Sequence, residues 1–451
     1  MLNRLCFVRI YISMNYKNLI ENKAHIHFVG VGGVSMNSLA KYLFSRGARV
    51  TGSDARMSDA TLHLNQLGIK TQLGHKPDYI MTADLAVATG AIADDNPEIV
   101  YAKEHGIEIV SRAELLGEIC KDFDKVIAVA GCHGKSTTSA MIYSILRNSG
   151  ARVSCHIGAE INNARMQYGD EYLVVEACEF KRSFLHIKPY LAVITNVEKD
   201  HLDCYKDLAD IQNTFRKFAD SAQYVVVGQN PTTEFLGVEK EDYVVQKVYF
   251  DSTAMLTEFS IVTDRCVPIT ISTLGGYNVD NATLSARVGW FLGLSDCAIV
   301  NGLRDFKPVA RRSQLIGKFN DADVVIDYAH HPTEIKQFYE AMKFVYHKTL
   351  FIFQPHTFTR TKALLGDFVE TLKHIDNLVI FKEYSARETP SMGVSSKQLV
   401  EILKQNGVKA KYVDNKSSLQ KLMSKTDYDA MLFVGAGDIA FVASEIVGKA
   451  N

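Results

Sequence analysis

Short apolar runs of four or five residues recur along this chain, each closed by a polar or glycine-bearing turn and followed by an amphipathic stretch. They fall into three blocks, opening on residues 26–29, 126–130 and 324–327. A run so short and continuous predicts a strand buried on both faces, and the stretch behind it predicts the helix that returns to a parallel neighbour. The first block continues with a helix at about 34–46 and strands near 49–51 and 85–89. The second holds strands near 172–176, 191–195 and 224–228, a β-rich stretch at 243–274 and a helix from about 279 to 292. The third adds strands at 349–353, 377–381 and 430–434 with helices between them. The fold class expected is therefore α/β, in three domains at 25–122, 123–312 and 313–451. Residues 1–24 are set apart as a leader, because the regular pattern begins only at IHFVG; Met14 is the expected initiator. The leader has no small-residue cleavage site, so no signal peptide is expected.

Length and charge narrow the picture. A chain of 451 residues suits two or three domains. Lys plus Arg number 50 against 51 Asp plus Glu. No bulk charge draws the protein to nucleic acid or an anionic membrane, and phosphate binding must come from local sites. The 8 cysteines are scattered without a CxxC pair, as expected of a reducing, cytoplasmic compartment. No apolar run reaches the roughly 18 residues of a membrane span. Oligomeric state is not legible.

Two glycine loops carry candidate chemistry. Gly30-Val31-Gly32-Gly33-Val34-Ser35 follows a strand and opens a helix, so its free N–H groups and the helix dipole suit a pyrophosphate. Ser53 and Asp54 close the next strand, about 20 residues on, where an acid commonly meets a ribose hydroxyl. A GxGxxG fingerprint would need glycine at Ser35, and the loop alone suits a nicotinamide cofactor as well as another nucleotide diphosphate.

The second loop, Gly131-Cys132-His133-Gly134-Lys135-Ser136-Thr137, directly follows an apolar strand. Its backbone N–H groups would cradle phosphates, Lys135 would reach the β and γ groups, and Ser136 would offer its hydroxyl to Mg²⁺. The spacing is GxxGKS, two residues shorter than the common GxxxxGKS. Mg²⁺ needs further hard oxygen ligands. Glu176 ends one later strand, and Asp200-His201-Leu202-Asp203 follows another, all at the sheet edge where α/β proteins bind ligands.

With these in place, GCHGKSTT, VVEACE, TNVEKDHLD, GYNVDN (276–281), Ala310-Arg311-Arg312 and DYAHHPTE (327–334) resemble, in order, the motifs of the Mur ligases. These are ATP-dependent amide-forming enzymes of peptidoglycan synthesis. IHFVGVGGVSM, FQPHTFTRT (353–361) and FVGAGDIA resemble the branch that adds L-alanine, and the likeness spans about 25–445. It implies a Rossmann-like N-terminal domain for the UDP-sugar, a central P-loop ATPase domain and a Rossmann-like C-terminal domain. It implies ATP and Mg²⁺, with UDP-N-acetylmuramate and L-alanine joined through an acyl phosphate. On this likeness Lys135 and Ser136 handle phosphates and metal, Glu176 binds Mg²⁺ and His201 a second Mg²⁺. Asn278 and Asn281 lie by the adenine, and Arg312 and Asp327 close on the nucleotide. Gly30, Gly32, Gly33, Ser53, Asp54 and Glu179 are assigned to the substrate. His330, His356 and Arg360 sit by the amino acid and the sugar's carboxylate, His330 as a proton acceptor or a positioning group.

The chain departs from the pattern at several places. Cys132 and Ser136 stand where the family usually has threonines, and EACEFKRSF replaces EADESDxSF. Tyr277 replaces a histidine, Thr357 an arginine, and Lys217 is the nearest candidate for a carbamylated lysine. The other readings are a muropeptide-recycling ligase using the same sugar nucleotide, a nucleotide-binding regulator and an NAD-dependent oxidoreductase.

Overall fold

The computed structural model describes residues 16–158, 170–202, 204–239, 242–251, 253–386, 388–424 and 427–448. Met14 and Asp203 lie outside the described residues. Within the expected leader, Tyr16–Glu21 forms a helix and Ala24 is buried. The chain divides into two compact units. One runs to Val126 and takes in Ser183–Lys188, and the other comprises Ile127–Arg182 and the remainder from Pro189.

The first unit is one parallel sheet. Its strands are β1 (His25–Val29), β2 (Arg49–Asp54), β3 (Lys70–Leu73), β4 (Leu85–Ala88) and β5 (Glu108–Ser111), in the order β3-β2-β1-β4-β5. β1 is buried at every position, as its unbroken apolar and histidine run requires. The order reverses between β1 and β4, so the loops at their carboxyl ends part and leave a crevice. The Gly30–Gly33 turn opens there, ahead of the helix Val34–Ser45.

Among its described residues the second unit carries three sheets. β6 (Lys125–Ala130), β7 (Val153–His156), β8 (Tyr172–Glu176), β9 (Leu191–Ile194) and β10 (Tyr224–Val227) follow the order β10-β9-β6-β8-β7. The β-rich stretch is an antiparallel meander of β11 (Val244–Asp251), β12 (Leu256–Val262) and β13 (Cys266–Ile271). The last sheet holds β14 (Gln314–Phe319), β15 (Ala322–Asp327), β16 (Thr349–Phe353), β17 (Leu378–Phe381), β18 (Ala410–Val413) and β19 (Ala430–Val434). Its order is β14-β15-β19-β16-β17-β18, with β14 antiparallel and the other pairings parallel.

Packing explains these elements. Phe351 and Phe353 join one core cluster while Leu350 and Ile352 join another, so β16 is covered on both faces and reads as an unbroken apolar run from Leu350 to Phe353. The helix Lys135–Asn148 packs against Gly276–Phe291 and Asp296–Asp305. At Gly302 an added Cβ would lie 2.4 Å from Ile145 Cα, so only glycine allows that approach. Sequence patterning omitted β3, β5, β7, β14 and β18. Each ends its sheet, where fewer neighbours demand apolar side chains. KTQL, EIVS, QLIGKF and AKYV accordingly mix polar with apolar residues, and VSCH, though buried, is only half apolar. No helix among the described residues is long and apolar enough to cross a membrane.

Candidate active site

The second glycine loop joins β6 to the helix Lys135–Asn148 and is pinned from both sides. Gly131 has φ +140°, and a Cβ there would stand 2.0 Å from Thr195 Oγ1; at Gly134, φ +80°, it would stand 2.5 Å from Asn281 Oδ1. Asn196 clamps the turn between them, accepting from His133 N at 2.9 Å and donating to His133 O at 3.0 Å. Thr195 Oγ1 donates to the same carbonyl at 2.6 Å. Such a loop keeps a fixed shape.

Lys135 folds back over the loop, donating to Gly131 O at 2.5 Å and Cys132 O at 3.1 Å, with Glu179 at 3.1 Å. Burial acts to lower this ammonium's pKa, but the Glu179 carboxylate, with smaller help from Glu176, raises it above the ordinary lysine value. Ser136 Oγ donates to Glu176 Oε2 at 2.9 Å, and the same oxygen accepts from Gly158 N at 2.8 Å. A hydroxyl and a carboxylate in contact beside a phosphate loop are a hard-oxygen donor set of the kind Mg²⁺ takes.

Glu179 is the centre of a second cluster. It is 2% exposed, and His201 Nε2 lies 3.4 Å from its Oε1 and 3.6 Å from Asp200 Oδ2. One ligand atom each from Glu179, Asp200 and His201 lie within 4.8 Å of one another, a spacing that could hold a cation. Burial alone would raise the Glu179 carboxyl, yet Lys135 and His201 hold it below the usual range. The departures beside it point elsewhere. Arg182 makes a two-pronged contact to Asp210 at 2.8–2.9 Å and lies over the Tyr205 ring.

From the last sheet, the helix Pro332–Lys343 brings its amino end against the loop. His133 Nδ1 faces Glu334 Oε1 at 3.3 Å and its Nε2 faces Glu198 Oε2 at 3.5 Å. Burial would lower this imidazole, but Glu334 and Glu198 push it up to about 9. His331 Nε2 donates to Lys199 O at 3.0 Å, and Arg360 Nη2 to Asp200 Oδ1 at 3.0 Å. His330, His356 and Arg360 are gathered together. The two histidine rings lie 6.0 Å apart, and Arg360 Nη1 donates to His356 Nδ1 at 3.3 Å. Burial pushes His330 down to about 3 and His356 to about 4, so both are neutral near pH 7. His330 Nδ1 meets only acceptors, the Tyr328 carbonyl at 3.0 Å and Glu334 Oε2 at 3.4 Å, so it carries the proton and Nε2 is left as the acceptor. Thr357 sits among them at φ +67°, ψ 147°, a strained setting for a β-branched residue.

A cavity of about 200 Å³ runs from His133 and Gly134 past Asn278 and Asn281 to Arg312 and Asp327. The asparagines line it but are committed to the protein. Asn278 donates to Leu274 O at 2.7 Å, and Asn281 Oδ1 accepts from Thr138 Oγ1 at 3.2 Å. Burial raises Asp327 to about 6 against the opposing Arg312 and the N–H groups of Ser313 and Ala329. Tyr277 also lines the cavity, its hydroxyl 3.2 Å from Ser313 Oγ.

In the first unit, Asp54 accepts from Gly32 N at 2.8 Å and from Arg56 N at 3.1 Å, so its carboxylate braces the glycine turn itself. Ser53 is buried and donates to Glu98 at 2.6 Å. Lys217 stands exposed on the helix Leu208–Asp220. Pattern reading missed Asn196, Glu198 and Glu334 as individuals. All lie inside the quoted motifs, but nothing local distinguishes a polar loop residue that clamps a distant turn.

Known protein families match three successive segments of the chain. Residues 25–124 match the profile "Mur ligase family, catalytic domain", 129–289 "Mur ligase middle domain" and 311–437 "Mur ligase, glutamate ligase domain". The chain is similar to the UDP-N-acetylmuramate–L-alanine ligase of Agathobacter rectalis, 36% identical over 96% of this chain and 100% of that one. The enzyme of the same name from Acetivibrio thermocellus is 38% identical over 92% and 94% of the two chains. Among solved structures, the UDP-N-acetylmuramate–alanine ligase of Thermotoga maritima superposes with TM-score 0.81 at 28% identity, covering 94% of this chain and 99% of that one. A murein peptide ligase from Psychrobacter arcticus shares the fold, with TM-score 0.71 at 22% identity over 95% and 98%.

Proposed function

The chain belongs to the Mur ligase family, and from that membership and the site's geometry we propose that it joins L-alanine to the carboxylate of UDP-N-acetylmuramate at the expense of ATP. The observation that carries this reading is the gathering of Lys135, the Ser136–Glu176 pair and the Glu179–His201 pair on one glycine loop, whose His133 and Gly134 line the cavity.

A carboxylate is a poor electrophile because its leaving group would be oxide. Transfer of the γ-phosphoryl group makes an acyl phosphate, which the amino group of L-alanine attacks with loss of phosphate. The loop N–H groups and Lys135 hold the phosphates and offset their charge. Ser136 and Glu176 would hold one Mg²⁺, and His201 with Glu179 and Asp200 a second; when bound, the metal neutralises phosphate charge. His330, neutral and with Nε2 as acceptor, takes a hydrogen bond from the incoming amine and orients it. Its low basicity argues for positioning rather than proton removal. Arg360 and His356 stand by the same group. Contacts of Arg360 with Asp200, His331 with Lys199 and Glu334 with His133 set the last sheet's segments against the turn after β9 and the phosphate loop, which suits an intermediate that water would destroy. The Gly30–Gly33 turn, with Ser53 beside it, would take the diphosphate of the sugar nucleotide. We place the reaction in the cytoplasm, where ATP is available.

Single-turnover phosphate release with UDP-N-acetylmuramate, L-alanine and ATP tests the reading. Release should require all three, and replacing L-alanine by a short peptide should abolish it. Preference for L-alanine over glycine rests on one methyl group, worth about 1–3 kcal/mol, so weak use of glycine is expected. Phosphate release that ignores the amino acid, or hydride transfer with NADH, would refute the assignment.

A further inference from the structure

A glutamate three residues after a helix N-cap ordinarily does no more than close a capping box. Glu334 does close one: Oε2 accepts from His331 N at 3.3 Å and from His330 N at 3.0 Å. Its other oxygen has no part in the cap. Oε1 faces His133 Nδ1 of the phosphate loop at 3.3 Å and Arg312 Nη1 at 3.7 Å, and both of those residues line the nucleotide cavity. Oε2 also lies 3.4 Å from the ring Nδ1 of His330, the histidine on the amine side. One carboxylate, its side chain 10% exposed, therefore touches the nucleotide loop with one oxygen and the amine-side histidine with the other.

Resting on the ligase reading above, we propose that Glu334 is a positioning residue that couples the phosphate loop to the amino-acid site, so that bound nucleotide sets His330 for the amine. The physical route is short. His133 is held between two carboxylates, Glu334 and Glu198, and the latter also accepts from Thr333 Oγ1 at 2.8 Å. Phosphates entering the loop compete with both carboxylates for the imidazolium. Any change in its pairing with Oε1 is felt at Oε2, because a carboxylate moves as one rigid plane. The backbone of His133 is clamped by Asn196 and cannot take up the change instead. A coupling of this kind must be reciprocal.

The test measures L-alanine affinity by calorimetry in the presence of UDP-N-acetylmuramate, with and without a non-hydrolysable ATP analogue. It compares the wild type with Glu334→Gln and His133→Asn. The amide of Glu334→Gln can still accept from the His330 and His331 N–H groups, so the cap should survive; losing the buried charge that faces His133 lowers the melting midpoint, so every titration is run well below each protein's transition. We expect saturating nucleotide, its affinity measured for each protein without L-alanine, to tighten L-alanine at least tenfold in the wild type and less than twofold in either variant. A wild-type ratio retained in Glu334→Gln, no ratio in the wild type, or loss of coupling only together with the melting transition would each overturn the proposal. Wild-type turnover with the three substrates is measured alongside. Its failure would count against the ligase reading, whereas normal turnover with unchanged coupling in Glu334→Gln would count against Glu334 alone.

Discussion

Replacing Lys135 by methionine should do two separable things. It removes the phosphate contact, and it strips the main cation from a carboxylate that is 2% exposed, since Lys135 Nζ lies 3.1 Å from Glu179 Oε2. Removing one partner of a buried ion pair costs about 3–5 kcal/mol, because the remaining charge stays desolvated. Lys135 is itself 14% exposed and His201 still lies 3.4 Å from Glu179, which places the expected loss near the lower end, about 3 kcal/mol. At about 2–4 °C per kcal/mol for a large domain, the melting midpoint should fall by about 6–12 °C. Adding Glu179→Gln removes the stranded charge, so the double variant should regain most of that loss while remaining inactive. A stranded Glu179 is also the form that burial drives toward protonation, so the deficit of Lys135→Met should narrow as pH falls. Thermal melts across pH and ADP release by coupled assay read the two effects. If the double variant is no more stable than the single one, the electrostatic account of this pair fails. If Lys135→Met turns over near the wild-type rate, the phosphate-loop assignment fails.

Other perturbations reach other parts of the site. Ser136→Ala deletes the hydroxyl bonded to Glu176 and should raise the Mg²⁺ needed for half-maximal rate about tenfold, on the order of a lost metal ligand; an unchanged Mg²⁺ titration would remove Ser136 from the metal site. His133, raised to about 9 from 6.5, contributes stability that is fully present below pH 6.5 and lost as pH rises through about 9. His133→Asn should therefore flatten the melting midpoint between those values, and an identical slope in both proteins would contradict the pairing. Gly131→Ala must fit a Cβ 2.0 Å from Thr195 Oγ1 at φ +140°, which should cost about 2–4 kcal/mol and weaken ATP binding. Wild-type melting and KM for ATP would show that the loop is looser than described.

Legibility differed between the parts of the molecule. Interior strands such as β6, β16 and β19 carry unbroken apolar runs of four or five residues because both faces are covered, and this pattern is visible in one dimension. The phosphate loop was equally plain, since its chemistry depends on neighbours in sequence: glycines for the turn, a lysine and a hydroxyl at the start of the helix. Asp54 shows the opposite case. Its spacing suited a ribose contact, but the folded chain uses it to brace Gly32 N, because the carboxylate at the end of β2 is carried back onto the glycine turn.

The order of glycines, lysine, hydroxyl and strand-end carboxylates along the chain thus determined the class of chemistry, because those groups act through local backbone geometry. The pairings Lys135–Glu179, His133–Glu334 and Arg360–Asp200 join residues 44 to 201 positions apart. Only the tertiary structure decided them. A charge buried at one point in the chain leaves no mark on the distant residue that balances it; the burial that sets His330 and His356 neutral, and the carboxylates that keep buried His133 charged, are properties of the packed molecule.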